Sequence, residues 1–313
     1  MENKFFMENI IPPVDRGLLL KELTQERLVR KTNAGNNLIY IVNHFNAPNV
    51  TREIGRLREI TFRDAGGGTG LAIDLDYYDT CEEPFEQLIV WNPDDQEIVG
   101  GYRYLDCKLL KKGDDGVFHT PTFKLFKYSD KFVEEYLPHT IELGRSFVQP
   151  AYQPANNIRK GMYSLDNIWD GLGAIILMHP DARYYFGKIT MYPDFNRQAR
   201  DLILYFMKKY FGDNEQLVYP IEPLKPETDP EFLKNAFPHD VYDKDYKLLI
   251  QQVRALGESI PPLVNAYMNL SSTMKFFGTA INNDFGEVEE TGIIVTIGDI
   301  YDMKIERHLT IPT

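Results

Sequence analysis

This chain of 313 residues is predicted to form an α/β fold with a mixed sheet. Three observations predict it. The apolar runs 86–91 and 97–105 flank the turn Asn92-Pro93-Asp94-Asp95, which makes them a hairpin. A strand-like run at 140–149 is followed by a helical period at 165–178, a strand at 184–192 and a helical period at 195–211. Strands alternating with helices indicate an α/β sheet. No apolar run reaches ~18 residues, so no membrane-spanning helix is expected.

The elements follow in order. Leu18, Leu19, Leu23, Leu28 and Val29, with charges between them, predict an amphipathic helix over 16–31, ended by the Asn- and Gly-rich 33–37. Residues 38–42 read as a strand. Pro48 opens a helix over 49–63, with Ile54, Leu57 and Thr61 on one face and Arg58 and Phe62 four apart on another. The glycine-rich 66–70 follows a helix rather than a strand, so it is a flexible loop and not a dinucleotide-binding turn. After the hairpin comes a lysine-rich irregular stretch. Pro220, Pro223, Pro226, Pro230 and Pro238 mark 219–240 as irregular connection. Helices are expected near 241–256 and 262–275, and a last strand near 291–299. The expected division is 1–218 as core and 219–313 as a C-terminal extension packed on it.

Composition narrows the function classes. A hydrophobic content of 43% and a charged content of 26% are those of a globular protein. The net charge of −12 disfavours nucleic acid as partner, because phosphate binding needs a basic surface. Cys81 and Cys107 are not clustered, which argues against a disulfide framework or a zinc site and for reduced thiols in the cytoplasm. The start, Met-Glu-Asn-Lys-Phe-Phe, lacks a signal peptide's apolar region.

Several charges stand where apolar residues would be cheaper. Glu142 and Arg145 interrupt the apolar run 140–149, and buried charges need partners. Their odd spacing puts them on opposite faces of a regular strand. A β-bulge at Gly144 would bring both to one face and free backbone N–H groups for a ligand carbonyl. The alternative is a structural ion pair at a sheet edge. Asp74, Asp76 and Asp79 fail the calcium-loop pattern, since Asp79 occupies the position that needs Gly. They are a solvated turn or the partners of Arg56, Arg58, Arg63 and Arg103. Arg103 interrupts a strand as Arg145 does, and two such arginines with several carboxylates imply a network. The loop 154–164, with Arg159, Lys160 and a helix N-cap expected at Ser164, is a candidate phosphate site. No histidine has metal-ligand spacing and no metal site is expected. Gly-x-Ser-x-Gly is absent, which argues against a serine hydrolase.

Together these pieces form a familiar order. Leu57-Arg58-x-x-x-Phe62 is followed by Asp76-x-x-Asp79, the strand Leu88-Ile89-Val90, Val99-Gly100-Gly101-Tyr102-Arg103, and Glu142-Leu143-Gly144-Arg145-Ser146-Phe147-Val148. The chain resembles the GNAT-related N-acyltransferases that make ornithine lipids and similar acyl-amino lipids. These are often labelled hemolysins and are distant relatives of the acyl-homoserine-lactone synthases. The resemblance covers about 50–215 and extends more weakly to Ile260-Pro261-Pro262-Leu263-Val264 and Asn283-Asp284-Phe285. It implies a GNAT-like, mostly antiparallel central sheet flanked by helices, with a C-terminal helical and strand extension.

The activity it implies is transfer of a fatty acyl or 3-hydroxy fatty acyl group to the amine of an amino acid such as glycine or ornithine. The donor would be the acyl-4'-phosphopantetheine of an acyl carrier protein, or acyl-CoA, with no tightly bound cofactor. The acetyltransferase pyrophosphate signature is missing and 157–164 stands in its place, which points to the carrier protein. Glu142 is the expected general base, and Arg58, Asp76, Asp79, Arg103 and Arg145 the expected network around the site. Val148, Asn157, Arg159, Lys160, Gly161 and Ser164 are expected at the donor. The loop 66–70 would be a lid, the nineteen Phe and nineteen Tyr would line an acyl tunnel, and Lys108, Lys111 and Lys112 or Arg159 and Lys160 would dock the carrier. The enzyme would be cytoplasmic, touching the inner face of the membrane through its lipid product. Two alternatives are a CoA-dependent acetyltransferase acting on a small amine and a non-catalytic GNAT-like protein that binds lipid or a partner.

Overall fold

A computed structural model describes residues 7–114 and 116–308; the start, 1–6, read above for a leader, lies outside them. The first helix, α1 (Arg16–Glu22), is half as long as predicted. The rest of the expected helix is a strand, β1 (Leu28–Lys31), paired antiparallel with β2 (Leu38–Val42). Gly35 and Asn36 both take positive φ, 81° and 54°, and this makes 33–37 a hairpin turn instead of a helix end. Next comes α2 (Pro48–Asp64), with Pro48 in its first turn. Its free N–H groups are capped from α1: Glu22 accepts from Asn49 N at 3.2 Å and Val50 N at 2.9 Å.

A short helix, α3 (Tyr77–Thr80), precedes the hairpin β3 (Glu86–Asn92) and β4 (Glu97–Asp106). Then come β5 (Phe126–Tyr128), β6 (Thr140–Val148), α4 (Ile158–Gly161), α5 (Ser164–Met178), β7 (Tyr184–Met191) and α6 (Arg197–Phe211). Ser164 is not the cap of α5. It is the first helical residue, and its hydroxyl donates back to Lys160 O at 3.3 Å.

The proline-rich stretch expected to be irregular includes the end of β8 (Val218–Pro220) and a helix, α7 (Pro230–Ala236), capped by Asp229. After α8 (Tyr242–Ala255), α9 (Pro262–Met268) ends seven residues before the predicted limit. The strands β9 (Lys275–Asn282) and β10 (Val288–Thr296) and the helix α10 (Asp302–His308) follow. β9 escaped prediction because both of its faces are buried: Phe276 packs with α6 and Phe277 with the small antiparallel β5–β8 sheet, so no alternation shows. β10 begins three residues early because Glu289 and Glu290, both buried, disguise its start.

Eight strands form one sheet in the order β1-β2-β3-β4-β6-β7-β10-β9. It is mixed and mostly antiparallel, as expected; β6 and β7 are its parallel pair. Alternation sorts the side chains by face. Leu88, Tyr102, Tyr185 and Ile189 pack toward α5 and α6. Ile89, Trp91 and Phe147 pack against α2, and Phe186 against the β5–β8 sheet, on the opposite face. The parallel pair is the weak seam. Hydrogen bonding joins Thr140–Leu143 to Tyr184–Gly187 and stops there, although β6 runs on to Val148 and β7 to Met191. The sheet therefore opens beside Gly144.

Candidate active site

The carboxylates of the aspartate-rich turn pair with arginines. Asp76 caps α3, accepting from Tyr78 N at 2.9 Å, and Asp79 closes a capping box by accepting from Asp76 N at 3.1 Å. Arg58, fully buried on α2, donates to both Asp79 oxygens at 3.2 and 3.1 Å and to Gln87 Oε1 at 2.7 Å. Arg103 on β4 forks onto Asp76 at 2.8 and 2.9 Å and reaches Asp79 at 2.9 Å. Burial works against the charge on Asp79, but Arg58 and Arg103 overcome it and hold its carboxyl below the usual range. Arg58, Asp76, Asp79 and Arg103 are thus one cluster, as the sequence suggested. Among the described residues no group of three or more His, Cys, Asp or Glu is placed to hold a metal ion.

The bulge exists, one residue later than predicted. Register runs from Gly101 opposite Phe147 to Arg103 opposite Gly144, so Arg145 and Ser146 together face Tyr102. Arg145, not Gly144, takes the left-handed conformation, with φ 53°. The bulge swings its guanidinium to the face that carries Arg103. There Nε meets Asp74 Oδ2 at 3.0 Å and the guanidinium lies 3.9 Å above the Phe285 ring. Burial raises the Asp74 carboxyl above its ordinary value, more than Arg145 and Arg58 lower it.

Beside the opened seam lies a cleft of about 290 Å³, lined by Asp76, Tyr78, Arg103, Lys124, Arg145, Lys188, the turn 282–285 and Glu290. Glu142 does not line it. Glu142 is 2% exposed, one layer behind, with Oε1 accepting from Thr122 Oγ1 at 2.7 Å and Oε2 without a hydrogen bond. Thr122 in turn accepts from Lys188 Nζ at 3.2 Å, and Lys188 Nζ lies 3.2 Å from Glu290 Oε2. Glu142 and Arg145 are therefore on the same face, and a chain of two side chains joins Glu142 to Glu290. Burial pushes the nearby Tyr192 phenol up to about 12, with Glu290 adding to the shift and Arg145 opposing it, so both charges act on one ring. Thr122, Lys188 and Glu290 were missed in the sequence. For Lys188 on β7 and Glu290 on β10 the available signal was the one that exposed Arg103, a charge inside an apolar strand; Thr122, in a turn, carried none.

The expected donor residues lie outside this cleft. Asn157 caps α4, accepting from Lys160 N at 3.1 Å. Lys160 is tied to Asp95 at 2.7 Å, and Gly161 packs so closely that a Cβ there would sit 2.4 Å from Pro154 N. Ser164 is buried, whereas Arg159 is exposed on α4 beside exposed Ile158 and Met162. Val148 is half-buried at the end of β6. Lys108 and Lys111 are paired with Asp181 and Glu83, and Lys112 lies over Phe118. The 66–70 loop is anchored, which does not suit a lid: buried Glu59 accepts from Thr69 N at 3.1 Å and Gly70 N at 2.8 Å. Much of the aromatic supply goes into the core, as with Phe126, Phe132, Phe186 and Phe277. An apolar cavity of about 30 Å³, between Leu143, Trp169, Leu172, Tyr185 and Tyr267, lies behind the seam on the α5 face.

Residues 57–160, from α2 to α4, match the family described as Acetyltransferase (GNAT) domain. A glycine N(alpha)-acyltransferase of Bacteroides thetaiotaomicron is 56% identical over 303 residues, covering 97% of this chain and 90% of the relative. One of Phocaeicola vulgatus is 51% identical, covering 97% and 93%. Among solved structures, a CoA-dependent acyl-homoserine lactone synthase is similar at 12% identity and a TM-score of 0.36, covering 86% of each chain.

Proposed function

We propose that this chain, which belongs to the GNAT N-acyltransferase family of the glycine N(alpha)-acyltransferases, moves a fatty acyl group from a thioester to the amine of glycine and releases an N-acylglycine. Beyond family membership, one observation carries the proposal. The opened β6–β7 seam meets a polar cleft of about 290 Å³ that holds cations and anions, backed by a carboxylate with an unbonded oxygen.

The chemistry follows from these groups. Glycine arrives mostly as its ammonium, since an α-amino group has a pKa of about 7.7–8.0. Glu142, one layer behind the cleft with Oε2 unbonded, takes that proton through one water. The neutral amine attacks the thioester carbonyl. The C–N bond forms, the C–S bond breaks, and the departing thiolate takes up the second amine proton. N–H groups at the Arg145–Ser146 bulge stabilise the oxyanion; one such donor is typically worth about 2.7–4 kcal/mol. The β7-side edge of 144–148, unpaired in the sheet, accepts the amide-bearing pantetheine arm as an added strand. Arg58, Asp76, Asp79 and Arg103 hold α3 and the cleft wall in place. Asn157, Arg159 and Lys160, with Val148, form the donor's entrance, and buried Gly161 and Ser164 shape the turn behind it.

The proposed donor is an acyl carrier protein. Residues 157–164 lack the acetyltransferase pyrophosphate signature, and α4 offers exposed Arg159 beside exposed Ile158 and Met162. The proposed setting is the cytoplasm, with contact to the inner membrane face through the product; no helix among the described residues is long and apolar enough to cross a membrane. Residues 1–218 are proposed as the catalytic core and 219–313 as an extension that completes the cleft.

The test is acylation of labelled glycine by the purified chain with acyl carrier protein or CoA as donor, read by mass spectrometry. Wild type is expected to form N-acylglycine, faster from the carrier protein. Glu142→Gln is expected to lower kcat by about 10²–10⁴-fold. No acylglycine from either donor would end this reading, and an unchanged kcat in the variant would remove Glu142 as base.

A further inference from the structure

Resting on the proposal that the acceptor is an amino acid, the cleft's charges divide into those already spent and those still available. Arg103 is spent on Asp76 and Asp79. Lys188 is spent on Thr122 and Glu290, each at 3.2 Å. Lys124 is exposed at the rim, as is Asp284. Two buried or half-buried groups remain incompletely used. Arg145 bonds Asp74 through Nε, and its two terminal nitrogens form no hydrogen bond among the described residues. Glu290 is 4% exposed. Its Oε1 accepts from Asn282 Nδ2 at 3.2 Å, and its Oε2 accepts no hydrogen bond although Lys188 Nζ lies nearby.

A buried carboxylate oxygen with no hydrogen bond is costly unless something completes it. Glu290 lines the same cleft as Arg145, whose fork is open. One opposite-charge pair lining one cleft suits a zwitterion, with a carboxylate for the fork and an ammonium for the carboxylate. Lys188 pairs with Glu290 Oε2 by charge at 3.2 Å but donates it no hydrogen bond, which leaves that oxygen able to accept one from an ammonium. Glu290 comes from β10 and Asn282 from the end of β9, so this half of the subsite is built by the C-terminal segment. Phe285 from the same segment carries the Arg145 guanidinium over its ring at 3.9 Å.

We infer that Glu290 receives the acceptor's ammonium and Arg145 its carboxylate, making the C-terminal strand β10 the wall that measures an α-amino acid. In this arrangement Glu142 remains the proton acceptor, reached along the Thr122 and Lys188 side of the cleft, while Glu290 binds.

Length compensation tests this directly. Glu290→Asp withdraws the carboxylate by one methylene, and β-alanine lengthens the acceptor by one. With the donor that wild type uses, the ratio of kcat/KM for β-alanine to that for glycine should rise in Glu290→Asp, by about tenfold. Glu290→Gln should raise the glycine KM by about 10- to 100-fold, the usual effect of losing a hydrogen bond to a charged group. It should also abolish the thermal stabilisation that glycine gives wild type. Asn282→Ala, at the rim, keeps the carboxylate but removes the donor that aims it. It should raise the glycine KM with little change in kcat, and this variant serves if changes at buried Glu290 prevent folding. An unchanged β-alanine ratio, or wild-type glycine KM in the Gln and Ala variants, would overturn the inference while leaving N-acylglycine formation intact. Absence of acylglycine from wild type would overturn the proposed function itself.

Discussion

At the scale of single residues, the site depends on charges that are buried and paired. Asp79 is fully buried and takes hydrogen bonds from Arg58, Arg103, Gln87 and the backbone of Asp76. Removing one partner leaves uncompensated buried charge. Asp79→Asn should therefore cost about 3–5 kcal/mol in urea unfolding and loosen α3 from the cleft wall. The same residue sets an acid limit. Its folded pKa lies below its unfolded value near ~3.9, so its stabilising contribution is fully present above that value. That contribution is lost as pH falls from there toward the folded pKa. Unfolding free energy measured between neutral pH and pH ~3 should drop over this acid range, and Asp79→Asn should flatten the drop. Asp74 acts in the opposite sense, because burial raises its pKa, so its ionisation weakens the fold as pH rises.

At the scale of elements, β4 and β6 do the positioning. The strands β3, β4 and β6 approach so closely that a Cβ at Gly101 would sit 2.2 Å from Leu88 O and one at Gly100 2.3 Å from Phe147 O. Those glycines let Arg103 come into line beside the bulge that turns Arg145 toward the cleft. Gly101→Ala should force β3 and β4 apart, lowering stability by about 1–3 kcal/mol and activity along with it; thermal unfolding and the glycine assay would report both. α2 matters for a different reason. Its apolar face, with Ile54, Leu57 and Phe62, packs on the sheet while Arg58 reaches the aspartates, so one helix serves both core and site.

At the scale of the whole molecule, the decisive feature is where the sheet fails to pair. β6 and β7 separate after Leu143, and the cleft fills the gap on one face. β10 pairs with β7 along eight residues and brings Glu290 to that cleft. Ending the chain at 218 would strip β7 of β10, its antiparallel neighbour, and expose Ile189, Phe186 and their core partners. Such a truncation should elute as aggregate in size exclusion and form no acylglycine.

The sequence alone determined the mixed α/β architecture, because amphipathic helices and hairpin turns are local and carry their own periodicity. It also pointed to a network of Arg58, Arg103 and the Asp76–Asp79 carboxylates, since charges inside apolar runs must find partners. It placed the irregularity of β6 to within one residue of Arg145. Only the tertiary structure decided that Arg145 takes the bulge, that Glu142 stands a layer behind the cleft, and that Lys188 and Glu290 line it. β1, β9 and α7 were hidden as well. A turn with two positive φ values and a strand buried on both faces leave no period to read, and α7, although Asp229-Pro230 is a local helix start, is only seven residues long among prolines. Position relative to distant strands is a property of long-range pairing, and no local pattern encodes it.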